Sequence, residues 1–495
     1  MDLRAIRVGL ILGLCVVIDA NATTYSVTKT EDTHDGTCDS DCSLREAIQA
    51  STTVSGGISD VITLPAGVYR LSIPRGVRGD NSPGSGSDGN LVVDTLLSIV
   101  GAGRDVTIID ARPTGIPPGV DRVFSITLSG SLALSGVTIA GGTTSGQGGG
   151  ILSLRGRLEL TDAAVVESTA TGGGGGLAVS NGAITTITRS LIADNTSGPI
   201  GSGGGIQNIQ STLTILDSTI SGNTALLSTG GGIMNIDQQN RPNPVALLTL
   251  TGSTLAGNLA GDPTQTSIFE GVGGGLFNRS GRALITNSTV TQNEAMPSCS
   301  PGFGCSPGTG RGGGVAHQML LGDDPDDGTT IVNSTIAYNT APTGMQIYAF
   351  IQFKKAILEN TLVAGSPGAP ADSNCASEQN SDGIASLGGN LSSDASPCYF
   401  DTVFDQKNTP PGLDAGLADN GGPTQTIALL PGSAAIAGGL PIFCPPTDQR
   451  GLLRNFDCDT GAVEFMPEPG AGMATAASLL ALTCLRRRRS AAEAR

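Results

Sequence analysis

Tryptophan is absent from this 495-residue chain, and tyrosine, phenylalanine and histidine number only 5, 11 and 2. A compact core normally leans on large aromatic side chains. Here the apolar residues are mostly Leu, Ile, Val and Ala, which suits a thin core of stacked aliphatic layers. Positive charge is also scarce, with 27 Lys and Arg against 43 Asp and Glu and a formal net charge of −16. That balance argues against nucleic acid as a partner, because phosphate contacts need a basic face. The acidity fits solubility, with collection of divalent cations as a second reading. What the chain has in abundance is glycine, 73 residues, roughly twice average usage.

The glycines are ordered. A triplet followed by an apolar residue recurs at Gly148–Ile151, Gly174–Leu177, Gly203–Ile206, Gly230–Ile233, Gly273–Leu276 and Gly312–Val315. Behind most of them comes a phrase of the type Ser-Thr-Ile-x-x-Asn, beginning at Ser190, Ser218, Ser253, Ser288 and Ser334 and ending at Asn195, Asn223, Asn258, Asn293 and Asn339. The triplets are spaced 26, 29, 27, 43 and 39 residues apart. A period in the twenties carrying two or three strands fits one turn of a β-solenoid, with the longer steps absorbing insertions on a single side. Leu213, Ile215 and Ile220 alternate with Thr212, Thr214 and Thr219, the period-two pattern of strands. Glycine at a corner supplies positive φ and lets neighbouring coils approach. Asn at the same place in successive coils can stack as an amide ladder. The expected fold class is all-β: a right-handed parallel β-helix, a single-stranded β-solenoid of about ten coils, on the order of 50 Å long, with a short N-terminal helical cap.

Residues ~120–365 resemble right-handed parallel β-helix repeats of the pectate-lyase-like type, and the Gly-plus-Asn phrases resemble those of polymorphic outer-membrane proteins. Cys42-Ser43-Leu44-Arg45-Glu46-Ala47-Ile48 is similar to the string that opens the so-called CSLREA region. It reads locally as a capping box, with Ser43 as N-cap and Glu46 three residues on; a helix there would cover the open end of the solenoid. Ile62–Tyr69 and Leu97–Gly101 look like the first coils. Downstream, Asp419–Thr426, Leu430–Ser433, Asp448–Gly451 and Gly461–Phe465 resemble the choice-of-anchor C-terminal domain, with Ile427 and Ala437 standing where that family commonly has His and Asp.

Both ends resemble export signals. Arg4 and Arg7, the apolar stretch Val8–Ile18 and Ala20-Asn21-Ala22 have the order of a signal peptide. Cys15 follows Leu14, where a lipobox has a small residue. At the other end Pro467-Glu468-Pro469, an Ala- and Gly-rich apolar segment from Gly470 to Leu485, and Arg486, Arg487, Arg488 and Arg489 resemble a PEP-CTERM sorting signal, with six residues following the arginines. Setting aside Cys15 and Cys484, eight cysteines fall in close pairs: Cys38 and Cys42, Cys299 and Cys305, Cys375 and Cys398, Cys444 and Cys458. Eight allow 105 connectivities, but short loops close with least chain entropy, so four local disulfides are expected, in an oxidising compartment. Zinc would want cysteines converging in fours, often with His, and only His34 and His317 exist. The expected organisation is a signal peptide (1–22), a cap (23–56), the β-helix (57–400), a choice-of-anchor-like segment (401–466) and a sorting tail (467–495). The expected location is the outer envelope, cell surface or medium.

Chemistry is harder to find. A glycoside hydrolase needs two facing carboxylates, and a uronate lyase needs a base with a cation or Ca²⁺. The best cluster is Asp323, Asp324, Asp326 and Asp327, near Arg311, His317, Lys354 and Lys355. Oxygen ligands in such a turn could hold a structural Ca²⁺, although an acidic Pro-Gly turn is more often a solvated loop. Any sugar platform would rest on Tyr338, Tyr348, Phe350 and Phe353. No catalytic residue and no cofactor is therefore assigned. The expected function is a monomeric, non-catalytic surface scaffold contacting polysaccharide or other matrix, with membrane contact only through the tail. The alternative is a polysaccharide lyase or hydrolase. An autotransporter passenger is disfavoured by the lack of alternating ten-residue strands for a C-terminal barrel.

Overall fold

The computed structural model describes residues 22–466 apart from 52–58, 75–88, 113–120, 239–244, 265, 301–303, 307, 321–327, 351–354, 371–372, 379–382 and 396–397. Short parallel strands stack into four sheets that wind as a right-handed parallel β-helix. The first sheet has twelve strands, including Thr24–Ser26 and Ile384–Gly388, and the second eleven, from Gly67–Arg70 to Leu391–Ser392. The third has ten, from Leu91–Val93 to Cys375–Ser377, and a narrow fourth has six, from Thr143–Thr144 to Glu294–Ala295. One coil visits the third sheet at Leu177–Ser180, the first at Ile184–Thr188, the second at Leu191–Ala193 and the fourth at Thr196–Ser197.

Each glycine triplet opens one coil. Ile151, Leu177, Ile206, Ile233, Leu276 and Val315, the residues that follow the triplets, are register partners in successive coils and fully buried. The first glycine of every triplet lies in the left-handed region, with φ between 62° and 72°. The second has no room for a side chain: a Cβ on Gly175 would lie 2.3 Å from the Gly204 carbonyl oxygen of the next coil.

The Ser-Thr-Ile-x-x-Asn phrase resolves residue by residue. Its serine is buried, and the Ser190 N–H donates to Ser218 Oγ (3.0 Å) as the Ser218 N–H does to Ser253 Oγ (3.1 Å). Its apolar residue enters the core, and its Thr faces outward. Its asparagine forms the ladder: Nδ2 of Asn195, Asn223, Asn258 and Asn293 donates to Oδ1 of the next Asn at 2.8–3.0 Å, ending on Asn339. The backbone N–H of each donates to the same oxygen at 3.0 Å. Buried amides stay folded only when satisfied, and each rung is satisfied by its neighbours.

The insertions leave at two corners rather than at one. Residues 237–246 lie between the third- and first-sheet strands, whereas 261–271 and 296–311 lie between the fourth-sheet strands and the next triplet. From Ser190 to Asn339 the corners that carry the Ser and Asn ladders take none. Their side chains must meet, and an extra residue there would pull a rung away.

The first coils are capped. Leu44–Ser51 is the capping helix; the Ser43 N–H donates to Glu46 Oε2 (2.7 Å) and the Glu46 N–H to Ser43 Oγ (3.2 Å), the reciprocal pair of a capping box. Arg45 is buried, with Nε 2.7 Å from Asp32 Oδ1 and Nη2 donating to the Gly89 carbonyl (2.9 Å). Four disulfides join Cys38 to Cys42, Cys299 to Cys305, Cys375 to Cys398 and Cys444 to Cys458.

Residues 401–466 lie almost without regular structure along the outer face of the second sheet. There Thr254, Thr289 and Thr335 form one outward column. Thr254 Oγ1 donates to the Gln425 carbonyl (2.6 Å), Thr289 Oγ1 to Gln449 Oε1 (2.6 Å), and the Ala462 N–H to Thr335 Oγ1 (3.0 Å). Ile427 packs in the apolar layer beneath this segment with Leu362, Leu391 and Val463. Buried Arg454 pairs with Glu464 (2.7 Å) and donates to Asn287 Oδ1 (2.9 Å). Ala437 holds a left-handed turn, and its N–H donates to Asp459.

Asn258→Ala removes the acceptor of two Asn223 donors and the partners of Ile220 and Asn293. It should lower stability by about 2–4 kcal/mol, read as a fall in denaturation midpoint. Exposed Gln238→Ala should move stability by less than about 0.5 kcal/mol. Equal effects would contradict the ladder.

Candidate functional site

The third sheet has two faces, and the chemistry-bearing residues divide between them. Its inner face carries a second asparagine ladder: Asn208 Nδ2 donates to Asn235 Oδ1 (2.7 Å), Asn235 Nδ2 to Asn278 Oδ1 (2.8 Å), and Asn278 Nδ2 to Thr329 Oγ1 (2.9 Å). His317 is the register partner of Asn278 and continues this column. Its ring is wholly buried, with Nδ1 3.0 Å from Thr329 Oγ1. The signal for this ladder stands in the sequence as Gly-Gly-Gly-apolar-x-Asn at Asn208, Asn235 and Asn278, and as the same pattern with His at His317.

The outer face carries the column Gln207, Met234, Phe277, Ala316 and Tyr348, successive register partners. Met234, Phe277 and Ala316 form an apolar cluster separate from the core, joined by Val272 and Phe350. Tyr348 meets Phe350 edge-on with centroids 4.8 Å apart, and Phe277 lies 6.0 Å from Phe350. Arg311 closes this cluster, its guanidinium carbon 5.3 Å from the Tyr348 centroid and 5.2 Å from that of Phe350. Its position is fixed because it stacks at the corner between Val272 and Thr343, one residue before its triplet. Glu270 lies 3.6 Å away. Burial raises the Tyr348 phenol above its ordinary value, against the lowering pull of Arg311.

Arg311 and His317 thus sit on opposite faces of one sheet and do not converge. Tyr338 belongs to neither: it occupies a left-handed corner (φ 61°), and its hydroxyl donates to the Asp414 carbonyl (2.9 Å). It walls a cleft of about 440 Å³ between the last coils and the C-terminal segment, lined also by Pro367, Pro370, Asn374, Asp394 and Pro411. Asp394 accepts there from the Ser373 and Asn374 backbone N–H groups, both at 2.9 Å. Lys355 precedes the first-sheet strand Ala356–Glu359. Asp323, Asp324, Asp326, Asp327, Phe353 and Lys354 lie outside the described residues, as does the sorting tail. Among the described residues no three His, Cys, Asp or Glu are placed to share a metal ion. The outer column therefore offers one cation on an aromatic bed beside one carboxylate. Arg311 and Glu270 are partly exposed and can meet a polar or charged group, while Met234, Phe277, Ala316 and Tyr348 beneath them are buried.

No family model and no curated protein matches the chain. Among solved structures it is similar to pectate lyase Pel9A, with a TM-score of 0.51 and 15% identity over 90% of this chain and 98% of that one. It also aligns with the A-module of Azotobacter vinelandii mannuronan C-5 epimerase AlgE4, with a TM-score of 0.35 and 13% identity over 70% of this chain and 88% of that one. The first likeness bears on fold alone.

His317→Asn places in the column the residue that its three predecessors carry, so stability should stay within about 1 kcal/mol of the parent. Denaturation midpoints check this, with His317→Lys, which buries a charge inside the core, as the destabilised counterpart.

Proposed function

We propose that this chain is an exported, envelope-associated scaffold whose long face contacts extracellular polysaccharide or other surface matrix without chemical turnover. The observation that carries the reading is the employment of two candidate groups among the described residues. His317 continues a buried ladder, and Arg311 is committed to Glu270 and two aromatic rings. The four disulfides support an oxidising compartment. The signal-like N-terminus and the Pro467-Glu468-Pro469 tail support export with retention at the envelope.

A second reading, a polysaccharide lyase or hydrolase, draws on the fold shared with pectate lyase Pel9A. Reducing-end and unsaturated-product assays on a panel of acidic polysaccharides, with and without EDTA, separate the two. The scaffold reading expects co-sedimentation with at least one polymer and no product; cleavage of any of them sinks it. Arg311→Ala should weaken that co-sedimentation while leaving the fold intact.

Anchoring is tested by fractionating cells that export the chain with and without residues 467–495. Release of the truncated form into the medium is expected, and unchanged retention would refute the anchor.

A further inference from the structure

Exposed large apolar side chains are scattered singly along the coils, as at Leu128 and Ile200, but in the C-terminal segment several fall on neighbouring turns. Ile442 and Phe456 are each 83% exposed, Leu453 is 81% exposed, and Phe404 is 59% exposed. Isolated exposed apolar residues need no explanation, but a connected set does. These four belong to turns that are tied together. The Cys444–Cys458 disulfide joins the Ile442 turn to the Phe456 turn, and Thr447 bridges Leu453. A side chain on Gly388 would touch both Leu440 (2.7 Å) and the Cβ of Phe404 (3.7 Å), which sets the Phe404 turn against the Ile442 turn.

The same rim lies beside residues 464–466, the last that the structure describes. Arg454 Nη1 bonds Glu464 Oε1 (2.7 Å), and Asn455 Nδ2 donates to Glu464 Oε2 (3.4 Å). The Leu453–Phe456 turn is thereby held beside residues 464–466. Met466 is itself 59% exposed. Beyond it the sequence runs through Pro467-Glu468-Pro469 into the apolar stretch Gly470–Leu485 and Arg486–Arg489.

We propose that the rim formed by Phe404, Ile442, Leu453 and Phe456 rests in the interfacial layer of a lipid membrane, seating the β-helix on the surface its tail enters. The proposal rests on the reading of 467–495 as membrane-engaging. Of the nearby charges, Asp405 and Asp457 are acidic and Asp401 is paired with Lys407 (3.1 Å), so the contact is made by apolar burial and not by attraction to anionic headgroups. Partial insertion of aliphatic and aromatic side chains at the headgroup boundary is the binding mode such a surface fits.

The absence of tryptophan makes the test clean, because a single introduced Trp is the only indole in the molecule. The full chain carrying Phe456→Trp or Ile442→Trp is reconstituted with phosphatidylcholine vesicles, and co-flotation and Trp emission are read together. Leu128→Trp, at a 68% exposed position early in the coils, is the control. The expected result is co-flotation of all three, with blue-shifted emission and quenching by lipids brominated near the carbonyls for the two rim variants alone, unchanged in high salt. Co-flotation with rim emission identical to the control overturns the rim contact while leaving the tail as an anchor. Failure to float overturns both. Rim emission that shifts without vesicles and with protein concentration assigns the rim to a second copy of the chain, and also overturns the proposal.

Discussion

Everything in this molecule depends on keeping successive coils in register at the strand spacing of ~4.8 Å. Backbone hydrogen bonds supply the spacing but not the register, because a parallel pair slipped by two residues bonds equally well. Register is imposed by side chains that find a partner only in one alignment. Asn195, Asn223, Asn258, Asn293 and Asn339 each accept from the coil before, and a slip would leave several buried amides unpaired. The serine column beside it and the Asn208–Asn278 ladder opposite impose the same alignment at a further corner and on the inner face of the third sheet. Glycine makes this possible, since a Cβ at Gly175 or Gly204 would strike the carbonyl of the following coil.

A column so defined at its corners is free elsewhere. Outward positions carry no ladder duty, so they can be aromatic in one stretch and threonine-rich in another. The second-sheet column Thr254–Thr289–Thr335 is the dock for residues 401–466, which bridge several coils from the side. The third-sheet column carries Tyr348 under Arg311, one rung before Ala376. A lateral clasp of this kind couples distant coils that otherwise touch only their neighbours.

Much of this was legible in the sequence, and the reason is periodicity. The triplets mark corners because glycine is required at each coil, and the Ser-Thr-Ile-x-x-Asn phrase marks ladders because each rung needs the same side chain. Cys42–Ile48 was readable as a capped helix because Ser43 and Glu46 satisfy each other within four residues. The inner Asn208–Asn278 ladder is equally periodic, and only its alignment across coils shows His317, a candidate for chemistry by residue type, to be a rung. The clasp was legible as a family-like motif but not as a contact. Gln449 and Ser253 lie 196 positions apart, and nothing local to either announces the other. The single-sided placement of insertions failed for a related reason, since only the ladder corners forbid extra residues.

The most direct test of this account is residue-resolved hydrogen exchange on the native full chain. The backbone amides of Asn195, Asn223, Asn258 and Asn293, which donate to the next asparagine side chain, should exchange as one slow block. Their protection should fall together when Asn258 is replaced by Ala. Rapid exchange at these amides in the parent protein, or protection that is lost at Asn223 alone in the variant, would contradict the claim that the ladders lock the coils.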